Sequence, residues 1–312
     1  MPLIDRYGRP IVNLRITLTH KCNYRCIYCH MEGEEKALEE LTPEEIERIA
    51  RVAVKIGISK VKLTGGEPLI REDIGEIVRR LSHINGMEEV SMTTNGSLLK
   101  EKVKELAKAN LKRINVNIPS LREETYKYIT NSEYSPKQII EGVMEAKKLG
   151  INPVKVNMVI LRGVNDDQID EMITFTRKND LILQLIELEN VGIDEETYSK
   201  YHADISSIEE KIKNEAKKVI VRRDMQNRRK YILKGGGEVE IVNPYENGNF
   251  CSACTRIRLT ADGKIKPCLM RNDNLIDIKN LLRNNLDEYE LMKLFVKAIE
   301  GREPYWKRRV TP

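Results

Sequence analysis

Three cysteines in the run Cys22-Asn-Tyr-Arg-Cys26-Ile-Tyr-Cys29, spaced C-x3-C-x2-C, offer three thiolates to one centre. Soft thiolates select zinc, copper(I) or iron–sulfur clusters over hard cations. A structural zinc site closes on four ligands, so three in a tight loop point to a cluster with one open iron. An open iron can bind a ligand that reacts. The alternative is a zinc knuckle completed by His30 or by a distant cysteine. It is weakened by a second triplet, Cys251, Cys254 and Cys268, spaced C-x2-C-x13-C, which again offers three ligands. All six cysteines are used in this way, leaving no pair for a disulfide, and such spacings fit a reducing cytoplasm.

Elements of two kinds must position these thiols. The alternating, β-branched stretch 14–19 reads as a strand that ends at the first triplet. Thr42-Pro-Glu-Glu then carries the N-cap, first-turn proline and early acids that open a helix. Further strands are expected at 60–63, 89–94, 113–118, 154–161 and 183–189. Amphipathic helices are expected at 43–56, 73–82, 98–109, 136–149 and 166–178. Six βα units in series imply a parallel sheet covered by helices, either an open barrel or a doubly wound sheet. The motif Gly65-Gly66-Glu67-Pro68 follows the second strand, on the rim that carries the first triplet. Its glycines would let a ligand approach the backbone, and Glu67 could accept from a ligand amine.

A charged helix is expected over 204–224, before a break at Gly235-Gly-Gly237 that divides the chain into regions 1–235 and 236–312. The second region should hold strands at 231–233 and 239–242. In it a hairpin, turning at Ala261-Asp-Gly-Lys264, returns Cys268 to the other two cysteines. A last helix is expected over 276–299. The 312 residues carry a net charge of +5 with both signs spread throughout, and no stretch approaches a membrane span. Only three Phe and one Trp are present, against the aromatic-interleaved basic surface that nucleic acid would require. These features predict a soluble cytoplasmic protein with neither membrane nor nucleic acid as partner.

Cys22–Cys29, with Tyr28 before the last cysteine, and Gly65-Gly-Glu-Pro68 on the next strand resemble the radical S-adenosylmethionine superfamily. Cys251-Ser-Ala-Cys254-Thr-Arg256-Ile-Arg258 with Cys268 is similar to the GTP 3′,8-cyclase family of molybdenum-cofactor biosynthesis. The likeness runs through Leu14-Arg15-Ile, Thr93-Thr-Asn-Gly96, Arg113-Ile-Asn-Val-Asn117, Val154-Lys155-Val-Asn157 and Gly163-Val-Asn-Asp166. The resemblance implies an α/β fold, an incomplete (β/α)6 TIM-like barrel with a C-terminal auxiliary cluster region. It implies two [4Fe-4S] clusters. One chelates S-adenosylmethionine, whose cleavage gives the 5′-deoxyadenosyl radical that takes the 3′ hydrogen of GTP, and the other binds the guanine.

By the same resemblance, Tyr28, Gly66, Asn117 and Glu189 would contact S-adenosylmethionine. Arg15, Lys62, Thr93, Lys155, Arg256 and Arg258 would contact substrate, the bases holding the triphosphate. Arg256 and Arg258 alternate on one strand and so share a face. Implied partners are a ferredoxin or flavodoxin as electron donor, cyclic pyranopterin monophosphate synthase downstream, and a second copy in a homodimer. Lys62 stands where the family commonly has Arg, Asn117 where it has Ser and Glu189 where it has Met, and the chain ends Arg308-Arg-Val-Thr-Pro312 without Gly-Gly. Two other readings compete: a twin-cluster radical enzyme acting on a peptide, and a non-enzymatic zinc or iron–sulfur protein that binds nucleic acid.

Overall fold

The computed structural model describes residues 2–36, 39–244, 246–284 and 287–306. The tail Arg308–Pro312 therefore lies outside the described residues. Twelve strands form one sheet: β1 Asn13–Thr17, β2 Lys60–Thr64, β3 Glu89–Thr94, β4 Arg113–Asn117, β5 Val154–Ile160, β6 Ile182–Glu187, β7 Ala216–Arg222, β8 Arg228–Leu233, β9 Glu238–Val242, β10 Arg256–Leu259, β11 Lys264–Lys266 and β12 Ile276–Asp277. Helices α1 Pro43–Lys55, α2 Ile74–Ser82, α3 Leu99–Lys108, α4 Glu123–Thr130, α5 Pro136–Lys148 and α6 Ile169–Lys178 cover the first half. They are followed by α7 Glu195–Tyr201, α8 Ser206–Glu215, α9 Gly248–Ser252, α10 Lys279–Arg283 and α11 Glu288–Glu300.

The six expected strands lie side by side and parallel in chain order. The C-terminal region adds a parallel strand to each side: β10 pairs with β1 and β9 with β6. Eight parallel strands thus form the arc, and the sheet ends in β12 and β7 rather than closing on itself.

One face of this arc is apolar and packs under the helices. Leu14 and Ile16 of β1, Ile49 of α1 and Ile77 of α2 are fully buried in the common core. Local signals start the helices as expected: Thr42 and Glu45 form a capping box on α1, and Ser135 and Gln138 form one on α5. The opposite face is polar, because Arg15, Lys62 and Arg258 alternate with the apolar residues along their strands.

Two expectations change. The helix placed over 204–224 ends at Glu215, and Ala216–Arg222 is the edge strand β7, paired antiparallel with β8. Its Val219-Ile-Val221 run is β-branched, which favours a strand once β8 supplies a ladder. The helix placed over 276–299 is divided, because Asp287 caps a fresh start by accepting from the Glu290 amide, and α11 follows. Helix α4 was not anticipated. The Gly235–237 break is the hairpin turn between β8 and β9, with Gly236 and Gly237 at φ of 85° and 90°.

Candidate active site

The first triplet leaves the end of β1 in a loop that packs backbone against backbone on the Gly65-Gly66 turn. The Gly66 amide donates to the Thr19 carbonyl and the Glu67 amide to the Lys21 carbonyl, each at 2.8 Å. A Cβ on Gly65 would lie 2.4 Å from the Thr19 oxygen, and one on Gly66 would lie 2.3 Å from the Lys21 oxygen. The glycines thus serve the approach of the chain to itself. Glu67 is likewise occupied: its carboxylate accepts from Thr94 Oγ1, the Asn95 amide and the Leu69 amide at 2.6–2.9 Å. Burial pushes it up to about 7, while those hydrogen bonds oppose the rise. It staples the loop after β2 to the end of β3, and Oε2, which accepts from the Asn95 amide alone, keeps a lone pair for a further donor.

All the cysteines and every other site residue expected from sequence, apart from the fully buried Glu67, line one cavity on the polar face. The six thiols are free. Burial pushes Cys22, Cys29, Cys251 and Cys268 up from the ordinary thiol value and Cys26 up to about 12. Cys254 goes the other way: burial opposes ionisation, but Arg302, Arg256 and Arg9 outweigh it. Among the described residues no three Cys, His, Asp or Glu side chains converge on the single point a lone ion would take. His30, the candidate fourth zinc ligand, uses Nδ1 to accept from the Glu32 amide. Three soft donors on each loop, open to one cavity, fit clusters with an exposed iron.

Register sets the charges. Arg258, Arg15 and Lys62 are direct neighbours across β10, β1 and β2, at strand spacings of about 4.8 Å. Such a row of cations repels itself unless an anion faces it. Lys62 donates to Asn115 Oδ1 at 2.8 Å, and burial together with Arg113, Arg15, Lys155 and Arg256 holds its ammonium well below the ordinary lysine value. Burial and the neighbouring arginines lower Arg256 in the same way, and lower Arg228 to about 10. The polar face therefore has cationic charge in excess. Two carboxylates partly answer it. Glu32 bonds Arg258 at 2.7 Å and Thr64 at 2.6 Å and lies 3.6 Å from Arg15. Burial would raise its carboxyl, but Arg15 and Arg258 prevail and hold it well below the usual carboxylate range. Lys155, which lines the same cavity, gives its ammonium to both oxygens of Glu240 at 2.6 Å.

Amides complete the wall. Asn115 donates to Asn157 and Gln184, and Asn157 donates to Asn117, at 2.9–3.1 Å. Asn117, Thr93, Gly66 and Glu189 line the cavity, and Tyr28 both lines it and packs against the cluster of Ile129, Leu161 and Leu188. Sequence reasoning missed Glu32, Arg113, Gln184, Arg228 and Glu240. The signal available was a polar residue set among the apolar ones of a parallel strand, as with Gln184 and Glu240. Glu32 gave no such signal, since its role depends on a turn in which its φ is +54°.

The family model described as Radical SAM superfamily matches residues 16–176, just over half the chain, and that described as Molybdenum Cofactor Synthesis C matches 181–308. A probable GTP 3′,8-cyclase of Thermococcus kodakarensis is 49% identical over 98% of this chain and 100% of its own length. One of Methanothermobacter thermautotrophicus is 45% identical over 98% and 99%. Among solved structures, Streptococcus suis SuiB bound to S-adenosylmethionine superposes with a TM-score of 0.67 at 19% identity, covering 89% of this chain and 66% of that one. Native anSMEcpe with bound AdoMet superposes at 0.58 and 16%, covering 92% and 84%, and both likenesses concern the fold. With two thiolate triplets and a cation row on one cavity, and with near-full-length kinship at these identities, the chain belongs to the radical SAM superfamily and, within it, to the GTP 3′,8-cyclase family.

Proposed function

We propose that this protein converts GTP to (8S)-3′,8-cyclo-7,8-dihydroguanosine 5′-triphosphate, the first step of molybdenum-cofactor biosynthesis, using S-adenosylmethionine and a [4Fe-4S] cluster. The observation that carries this reading is one cavity whose wall holds both cysteine triplets and the in-register row Arg258, Arg15 and Lys62. A triphosphate supplies the several negative charges such a row calls for. Cys22, Cys26 and Cys29 would hold the cluster that, when bound, delivers the electron for cleaving S-adenosylmethionine and so starts radical chemistry at C3′ of GTP. Tyr28, Gly66, Asn117 and Glu189 would seat S-adenosylmethionine. Cys251, Cys254 and Cys268 would hold a second [4Fe-4S] cluster against the guanine.

Arg15, Lys62, Arg256 and Arg258 would bind the triphosphate, with Thr93 beside the nucleotide. Lys155, oriented by its pair with Glu240, would join them at the substrate. The chain's own contribution is positioning: C3′ near the radical source and C8 near C3′. The division near residue 235 is then one of task, with the S-adenosylmethionine site before it and the auxiliary cluster after it. We further infer a ferredoxin or flavodoxin as electron donor, transfer of product to cyclic pyranopterin monophosphate synthase, homodimer formation and a cytoplasmic location. Among the described residues no helix is long and apolar enough to cross a membrane.

Anaerobic reconstitution, followed by measurement of 5′-deoxyadenosine with and without GTP, tests the reading. GTP-dependent formation with loss of GTP is expected. Formation indifferent to GTP would overturn the substrate and favour a peptide-modifying enzyme, and none from fully loaded protein would sink the catalytic reading.

A further inference from the structure

Behind the second triplet lies a buried group that no step above uses. Asp5, Arg9 and Arg302 are each at most 5% exposed, although Asp5 and Arg302 stand 297 residues apart in the chain. Asp5 Oδ2 accepts from Arg9 Nε and from Arg302 Nη1, both at 2.8 Å, while its Oδ1 accepts from the Tyr7 and Arg9 amides at 3.0 Å. The carboxylate is fully satisfied and holds two guanidinium groups in fixed orientation.

Each guanidinium then grips the cysteine loop. Arg9 Nη1 donates to the Cys251 carbonyl at 3.1 Å, and Arg302 Nη2 donates to the Cys254 carbonyl at 2.8 Å. Two buried donors remain without a protein partner, Arg9 Nη2 and Arg302 Nε. Both arginines line the cavity with the cysteines. A buried guanidinium N–H left over beside thiolate ligands is a donor that cluster sulfur can accept, and such hydrogen bonds and nearby positive charge raise a cluster's reduction potential. The first triplet has a different environment: its neighbours include the carboxylates Glu67 beside Cys22 and Glu32 beside Cys29.

We propose that Asp5, Arg9 and Arg302 form a positioning clamp that holds the Cys251–Cys254 loop in ligating shape and raises the reduction potential of the cluster bound there. The proposal rests on the reading that the second triplet carries a cluster. Burying two cations on one carboxylate costs desolvation that surface residues avoid. Fixing a loop whose thiolates must meet a preformed inorganic core gives that arrangement a purpose. The clamp also ties residues near both ends of the chain to the same loop.

The test compares wild type, Arg302→Met and Arg302→Lys after anaerobic reconstitution. Each is measured for iron per chain and, with Cys22, Cys26 and Cys29 replaced by Ala, for the potential of the second cluster by redox-titrated electron paramagnetic resonance. Arg302→Met should weaken retention of the second cluster about 10–100-fold and lower its potential. The first cluster and the far-ultraviolet circular dichroism should stay unchanged. Arg302→Lys, which keeps the charge without the fork, should return the potential towards wild type. Wild-type retention and potential in Arg302→Met would overturn the clamp. Should that variant fail to fold, Arg9→Lys carries the test: selective loss of the second cluster supports the clamp, and retention of both, or equal loss of both, overturns it. A wild-type chain that binds only the first cluster would sink the two-cluster reading itself, and the clamp with it.

Discussion

Glu240 shows how one buried side chain sets the state of several others. Lys155 contacts both of its oxygens at 2.6 Å and Arg222 adds a contact at 2.9 Å. Burial alone would raise this carboxyl, but Lys155, Arg222 and Arg228 lower it from 4.5 to about 2. Its charged form is favoured by folding, so the stability it lends is present above the unfolded value and is lost as pH falls from 4.5 to about 2. Glu240→Gln should therefore flatten the acid limb of stability by about 3 kcal/mol across that window. Urea midpoints measured at several pH values check this, and an acid limb as steep as wild type would contradict it. The lysine was legible as a cation near a strand end. Its partner lies 85 residues later on a strand that pairs with β6, so no local pattern announced it.

At the scale of elements, the decisive contact is the Gly65-Gly66 turn lying against the loop that leaves β1. The motif was visible in sequence, and its place at the end of β2 was correctly anticipated. Which surface the glycines approach was not visible, because the strand-to-loop backbone they meet comes from a segment more than forty residues earlier. A Cβ at position 66 would stand 2.3 Å from the Lys21 oxygen and 2.7 Å from its carbonyl carbon, so Gly66→Ala must displace backbone rather than a flexible side chain. The Cys22 loop is what would move. We expect Gly66→Ala to lose the first cluster, about four irons per chain, while the second triplet keeps its own. Iron analysis beside the electron paramagnetic resonance of each cluster reads this directly, and full iron content in the variant would refute it.

For the whole molecule, the pairing of β10 with β1 and of β9 with β6 means that the C-terminal region seals both margins of the six-stranded arc. A chain cut after residue 235 would leave the parallel strands β1 and β6 without their partners β10 and β9, exposing unpaired edges of the kind that natural sheets avoid. We expect residues 1–235 to aggregate or remain unfolded, judged by gel filtration and circular dichroism. A monomeric fragment with a cooperative unfolding transition would show that the second region is an appendage. The same pairing explains why Arg256 and Arg258 belong to the cavity at all: β10 brings them into register with Asn13 and Arg15.

The sequence by itself determined what recurs at short range. Thiolate spacings, the capping of α1, the period of the six βα units and the alternation of Arg256 with Arg258 are all written in continuous stretches of chain. Tertiary structure alone decided what depends on distant partners: which cations stand in one row, that Lys155 belongs to Glu240, and that Glu32 answers Arg15 and Arg258. It also decided that residues 216–222 become a strand, because an edge strand exists only when a ladder is offered by its neighbour. Charges and hydrogen bonds act through space over a few ångströms, and only the closed fold brings residues from opposite ends of the chain within that reach.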